Sequence, residues 1–259
     1  MVDLVTEFNR ARHDPTLAVL EGFHALKHAT RFGANVHMVV GTDPEALDEL
    51  STLLAPDVKM EILRRTKWIT KDLFRQLGKN LPHTEVLAIA RRRNTDPTEL
   101  LNARSSEPLV LLEDPRNLGN IGAVILVSAA AGAAGVLTTG IIDPWDPTVI
   151  RGSAGLHYAV SVAKIEKLPP SSRPLIAVDP DGIPLNEATL PSGVILAFGT
   201  ERHGLSESLL DKADARVCIP MRSGVSSLNI ATSVAVVLFL WKLQPESFGS
   251  QMQKDHCRE

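Results

Sequence analysis

The chain has 259 residues, 44% hydrophobic and 22% charged, with a formal net charge of -3; these averages exclude a chain disordered as a whole and a globally basic nucleic-acid binder, and the length suits one large domain or two smaller ones. Two cysteines, Cys218 and Cys257, exclude a disulfide framework and a cysteine zinc site, so no metal is expected. The longest apolar run, residues 234–241, falls far short of the roughly 20 residues of a membrane span, and no amino-terminal signal core precedes it, so a cytoplasmic protein without a membrane partner is expected.

In chain order, residues 21–30 (EGFHALKHAT) carry apolar side chains at helical spacing, and residues 36–40 (VHMVV) read as a short buried strand. Residues 44–54 are expected as helix, 58–63 as strand, 67–77 as helix and 84–90 as strand. This alternation makes residues 1–95 a small α/β domain. Residues 96–107 hold turn formers, a short helical possibility and no strong core pattern, as a linker requires. A second α/β unit spans residues 108–245, with strands at 109–112, 135–138, 159–163, 175–178, 194–198 and 216–219 in a mostly parallel sheet. Residues 119–131 supply a helix between the first two strands, and residues 147–153 a turn with a helical start. The last helix, residues 228–243, is apolar on nearly every side and needs cover all round, from a partner subunit or from the core of its own chain. Residues 246–259 form a polar tail.

Charge is unevenly placed. Between residues 59 and 93 there are ten basic residues against three acidic ones, interleaved with Trp68, Phe74 and His83. That composition suits an RNA-facing surface, in which cations neutralise phosphates and flat side chains stack on bases, with Arg64, Arg65, Lys67, Arg91, Arg92 and Arg93 as candidate contacts. The other reading is a solvated helix face plus an interdomain arginine triplet.

Two strand ends deliver small and polar residues to one place. A strand-like run enters Gly199-Thr200-Glu201, the Gly204-Leu205-Ser206 turn opens a helix, and residues 216–220 lead into Ser223-Gly224-Val225-Ser226-Ser227-Leu228-Asn229. In an α/β sheet such segments meet in the crevice outside the carboxyl ends of the strands, where ligands bind. Asn117-Leu118-Gly119-Asn120-Ile121-Gly122 also follows a strand and opens a helix; its glycines permit close backbone approach and the helix start offers unpaired amides. Neither a G-x-G-x-x-G fingerprint nor a P-loop is present. Arg151, in residues 142–157 (IDPWDPTVIRGSAGLH), can place a forked cation on a phosphate or carboxylate, or pair structurally with Asp143 or Asp146. His157 and His203 are loop candidates for proton transfer. Each polar residue also has a local reading: Glu201 as a solvated turn residue, Asn117 and Asn229 as helix caps, Ser227 as a packing residue.

Residues 116–136 (RNLGNIGAVILVSAAAGAAGV), Gly199-Thr200-Glu201 with Gly204-Leu205-Ser206, and Ile219-Pro220-Met221 with Ser227-Leu228-Asn229 resemble, in order and spacing, the three motifs of the SpoU/TrmH family of SPOUT methyltransferases, which use S-adenosylmethionine to methylate RNA ribose. The Glu21-Gly22 opening is similar to the substrate-binding amino-terminal domain of many SpoU-like enzymes, the thiopeptide-resistance type included. The resemblance implies a carboxyl-terminal SPOUT domain with a deep trefoil knot, preceded by a small α/β substrate-binding domain, and a homodimer acting on rRNA or tRNA. It places S-adenosylmethionine, in bent form, against Phe198, Gly199, Thr200, Glu201, Gly204, Ile219, Met221, Ser227 and Leu228, and the reaction centre at Asn117, Glu201, Ser227, Asn229 and Arg151. Leu126 departs from the pattern: the family carries there the arginine to which it assigns activation of the ribose hydroxyl. Leucine offers neither charge nor hydrogen bond. Three outcomes stay open: Arg151, Arg116 or His203 has taken the role; the acceptor is a nitrogen or a small molecule; or the chain is an inactive RNA-binding or cofactor-binding homologue.

Overall fold

The computed structural model describes residues 3–200 and 203–244. The first half comprises α1 (Leu4–His13), β1 (Leu17–Glu21), α2 (Phe23–Arg31), β2 (Val36–Gly41), α3 (Pro44–Leu54), α4 (Lys59–Arg65), β3 (Thr66–Trp68), α5 (Lys71–Gln76), β4 (Val86–Arg91) and α6 (Pro97–Asn102). Its four-stranded sheet runs β1-β4-β2-β3; β4 is antiparallel to both neighbours, while β2 and β3 are parallel. Local chemistry marks the helix starts. Asp43 accepts from Ala46 N–H at 3.0 Å ahead of Pro44, and Thr70 accepts from Leu73 N–H at 3.3 Å.

Several boundaries differ from the sequence reading. Residues 58–63 were expected as strand, yet Lys59–Arg65 is helical, with Ile62 buried and Met60 exposed. An apolar residue at every second position mimics a strand, and packing against α3 and β2 decides otherwise. The helix expected at 67–77 splits into edge strand β3 and the shorter α5. Helix α1 and all of strand β1 but Glu21 precede the first element expected from sequence, and the helix expected from residue 21 begins after Gly22, whose φ of 97° suits glycine.

The second half comprises β5 (Leu109–Leu112), α7 (Leu118–Ala131), β6 (Gly135–Thr138), α8 (Pro147–Gly152), a 3₁₀ turn (Leu156–Tyr158), β7 (Ser161–Lys164), β8 (Leu175–Pro184), β9 (Ile195–Phe198), α9 (Glu207–Leu210), β10 (Ala215–Cys218) and α10 (Ile230–Leu243). Its six strands lie in the order β10-β8-β9-β5-β6-β7, every adjacent pair parallel. Central strand β5 is Leu-Val-Leu-Leu because both faces are buried: Val110 and Leu112 enter one core, Leu109 and Leu111 the other. From β5 the chain winds outward through β6 and β7, then crosses to β8 on the far side. The strand order therefore reverses between β5 and β9, the kind of point where α/β sheets bind ligands.

Helices α7 and α8 approach closely at two glycines; a Cβ on Gly122 would stand 2.6 Å from Val149 O. Helix α10 packs on α7 through Val234, Val237, Leu238 and Trp241, but within one chain its far side is open: Val236, Phe239 and Leu243 are 40%, 42% and 67% exposed. A core helix buried all round by its own chain is therefore not what forms. Among the described residues no helix is long and apolar enough to cross a membrane.

The two sheets share a junction. Trp145, Ile150 and Tyr158 pack into the core that contains Phe23 and Leu26, and a Cβ on Gly155 would lie 2.4 Å from Ala25 O. Tyr158 Oη donates to Arg91 O at 2.8 Å, and Arg92 joins Leu17 O (2.6 Å) to Asp143 (2.7 Å). The segment between the halves is also pinned. Buried Arg173 donates to the carbonyls of Leu101, Ala103, Glu107 and Gly193, and burial lowers its pKa.

Candidate active site

At the carboxyl edge of the sheet, beyond β8, β9 and β10, lies a cavity of about 580 Å³. Strand β9 leads into Gly199, where a Cβ would stand 2.0 Å from the Gly204 carbonyl carbon. Gly204 has a φ of +65°, and Thr200 and Gly204 exchange both backbone hydrogen bonds at 3.1 and 3.0 Å, so the turn folds back on itself. Across the opening, β10 runs into residues 219–229. Among the described residues, the backbone of 219–228 bonds to itself once, Val225 N–H to Arg222 O at 3.0 Å, leaving other amides and carbonyls available to a ligand.

The structure brings most of the expected cofactor positions to this cavity. Phe198, Gly199, Thr200, Gly204, Ile219, Met221, Ser227 and Leu228 all line it. Glu201, expected both there and at the reaction centre, lies outside the described residues. Two charged wall residues were missed from sequence, Asp179 within β8 and Arg222 after β10. Arg222 stands one residue beyond a motif that the sequence reading did quote. Asp179 carried no signal, because the bulge by which β8 leaves its pairing with β10 brings it there.

The expected reaction-centre residues divide. Ser227 is exposed on the cavity wall. Asn229 caps α10, accepting from Ala231 N–H (2.9 Å) and Thr232 N–H (3.4 Å), while its Nδ2 donates to Asn120 Oδ1 at 3.0 Å. Asn117 caps α7 by accepting from Asn120 N–H at 3.0 Å. The capping readings therefore hold, and the caps also form one polar chain, Asn117 to Asn120 to Asn229, between two helix starts beside the cavity. Asn120, quoted in the glycine-rich motif but given no role, is its middle link. Arg151 is not brought to the cavity. It donates to Glu21 (3.3 Å) and Asn80 O (3.1 Å), so its ion pair is with neither Asp143 nor Asp146. Leu126 sits half-buried on the face of α7 that also carries Ala123 and Ala130.

His157 is no proton-transfer residue. It is fully buried, with Nε2 2.7 Å from Pro144 O and Nδ1 2.8 Å from Ser153 Oγ. A carbonyl can only accept, so Nε2 carries the proton of the neutral ring and Nδ1 accepts from the serine hydroxyl. Burial pushes its pKa down to about 4, and Trp145 lies against the ring at 4.8 Å. His203 is exposed in the turn, its N–H donating to Thr200 Oγ1 at 3.2 Å.

The basic stretch does not form one patch. Arg65 donates to Val36 O (2.9 Å) and pairs with Glu61 (3.0 Å), near the end of β4 that holds Arg91. Lys67 pairs with Val40 at the opposite end, beside exposed Trp68. Arg64, Arg91 and Arg93 are exposed, whereas Arg92 has its guanidinium engaged at the junction with Leu17 O and Asp143. The expectation of Arg92 as an RNA contact is corrected accordingly, because its donors hold the two sheets together.

Comparison with known proteins agrees with this geometry. Residues 107–239 match the model of the SpoU rRNA Methylase family, and the chain belongs to that family. An uncharacterized tRNA/rRNA methyltransferase of Synechocystis is 35% identical over 147 residues, and the match covers about half (53%) of each chain. The 23S rRNA (adenosine(1067)-2′-O)-methyltransferase of Streptomyces azureus is 28% identical over 244 residues, covering 90% of this chain and 88% of the relative. The fold is shared with the SpoU methyltransferase AviRb of Streptomyces viridochromogenes, crystallised with AdoMet, at a TM-score of 0.71 and 22% identity over 90% of this chain and 95% of the other.

Proposed function

We propose that this chain transfers the methyl group of S-adenosylmethionine to a ribose 2′-hydroxyl of ribosomal or transfer RNA in the cytoplasm. The observation that carries this reading is the convergence of two motif loops from separate strands on one cavity of about 580 Å³, within the usual size range of cofactor sites. The residues present fit the cofactor. Gly199 lets the turn close on Gly204, which has open space where a Cβ would stand and so admits close approach of a nucleoside; Phe198, Ile219 and Leu228 supply apolar wall, and backbone groups of 219–228 without a partner among the described residues are available to a base edge. When bound, S-adenosylmethionine supplies an electrophilic methyl group on a sulfonium. The Asn117–Asn120–Asn229 chain orients polar groups at the edge of the cavity.

Leu126 brings no proton chemistry, and Arg151 is turned toward the first half of the chain, on Glu21 and Asn80 O. We assign polarisation of the acceptor to Arg116, which directly precedes Asn117 and is exposed, its guanidinium held by Asp114 at 2.6 Å. Residues 1–95 serve as the RNA-binding unit, through Arg64, Arg65, Lys67, Arg91 and Arg93, and residues 108–245 as the catalytic unit. The trefoil knot is part of the same proposal, supported by the loops after β9 and β10, the parallel strands on either side of β8, which meet at one cavity. The uncovered Val236, Phe239 and Leu243 stripe of α10 supports a homodimer, with light scattering expected to give about twice the 28.0 kDa chain mass.

The test is transfer of radiolabelled methyl to total RNA, followed by nucleoside mass spectrometry. The expected product is a 2′-O-methylnucleoside, with Arg116→Ala slower by roughly 10² to 10⁴-fold, the usual effect of losing a positioned proton-transfer or polarising group. A base-methylated nucleoside would move the acceptor to nitrogen. Cofactor binding without any methyl transfer would leave a binding homologue.

A further inference from the structure

The wall of the cavity carries two opposite charges that the motifs do not account for. Strand β8 leaves its register with β10 by a wide bulge. Ala177 pairs with Arg216, but the next residue of β10, Val217, pairs with Ile183, so residues 178–182 are looped out against no residues of the partner strand. The bulge closes at Gly182, where a Cβ would stand 2.5 Å from the Val217 backbone, so this position admits only glycine. Its shape is fixed from within by Asp179, which accepts from Asp181 N–H at 3.0 Å with one carboxylate oxygen. The bulge thus puts Asp179 into the cavity wall, which also carries Arg222 from the loop after β10. Among the described residues neither side chain has an ion-pair partner, and they do not pair with each other. The remaining described lining residues are apolar or uncharged.

We infer that Asp179 and Arg222 hold the charged amino-acid end of the cofactor, Arg222 the α-carboxylate and Asp179 the α-ammonium; this deepens, and rests on, the cofactor reading above. Among the described residues the wall carries one anion and one cation, unpaired with each other, and such a pair complements a zwitterion better than a neutral nucleoside or a polyanion. The planar guanidinium matches a carboxylate through two parallel hydrogen bonds. The assignment also keeps the arginine away from the sulfonium, whose positive charge it would repel. An RNA phosphate is the competing ligand for Arg222, but it gives Asp179 no role and would be repelled by it.

The test compares two ligands by calorimetry on the full chain: S-adenosylhomocysteine, which carries the amino-acid end, and 5′-methylthioadenosine, which keeps the nucleoside thioether and lacks that end. Arg222→Gln should weaken S-adenosylhomocysteine by roughly 10- to 100-fold, the loss expected for charged hydrogen bonds, while 5′-methylthioadenosine binds as it does to the parent. Asp179→Asn retains an oxygen for the Asp181 N–H bond, so the bulge stays intact, and should show the same selectivity at about 5- to 30-fold. Equal affinities of parent and both variants for S-adenosylhomocysteine would overturn the inference. Equal weakening of both ligands would do so too, since it would mean a distorted cavity. A parent that binds neither ligand would instead remove the cofactor reading on which the inference stands.

Discussion

The cavity and the junction are built in opposite ways. The junction between the two sheets is made of large and titratable side chains, Trp145, His157, Tyr158, Arg92 and Arg151, nearly all buried or engaged by a named partner. The cavity is made of loops, with small residues and a backbone that leaves many of its groups open. The residues that most resemble catalytic machinery by type, a serine beside a histidine and a forked arginine, are thus the structural ones, while glycines, serines and apolar residues make up most of the cavity wall. Under the proposed function a bound cofactor supplies the chemistry, so the protein's part is shape and exposed backbone, while holding the proposed RNA-binding half at a fixed distance calls for interlocked side chains.

The largest effect that sharpens this contrast is expected at Gly199. Gly199→Val puts atoms into the Gly204 backbone and should abolish binding of S-adenosylhomocysteine in calorimetry, whereas Trp145→Ala, far larger in volume change, should leave binding measurable. The second effect lies at the junction. Trp145→Ala should cost about 3–5 kcal/mol in denaturant unfolding, because it leaves a void against His157 and Tyr158.

The third effect is a pH dependence. His157 stays neutral in the folded chain down to about 4, whereas in the unfolded chain it takes a proton below the ordinary 6.5. Between those values the unfolded state binds more protons, so stability falls as pH falls, by up to about 1.4 kcal/mol per pH unit from this group, and the loss levels off below pH 4. His157→Gln should remove that segment of the curve; an unchanged slope would mean that the ring is not a buried neutral histidine. The smallest effects separate the arginines. Arg64→Ala and Arg93→Ala should each reduce the salt slope of RNA binding by about 1, while Arg92→Ala should leave the slope unchanged and lower stability by roughly 1 kcal/mol.

The same contrast explains what the sequence disclosed. Strands β5 and β6 occupy the residues expected, because a fully buried strand must be continuously apolar and the turns around it are marked by glycine and proline. The cavity loops were legible because their small residues are local and ordered along the chain. The first half was read less well: α4 passed for a strand, and three-residue β3 was invisible, since its place depends on pairing with β2 more than 20 residues earlier. The bulge that carries Asp179 and the bond from Asn120 to Asn229 are relations between distant segments, which no local pattern encodes.

The central claim is that the loop-built cavity is the cofactor site, and calorimetric titration of the intact chain with S-adenosylhomocysteine tests it most directly. One ligand per chain at micromolar affinity, lost in Gly199→Val while thermal unfolding shows that variant still folded, is the predicted result. No heat of binding at millimolar ligand, or equal binding by parent and variant, would contradict it.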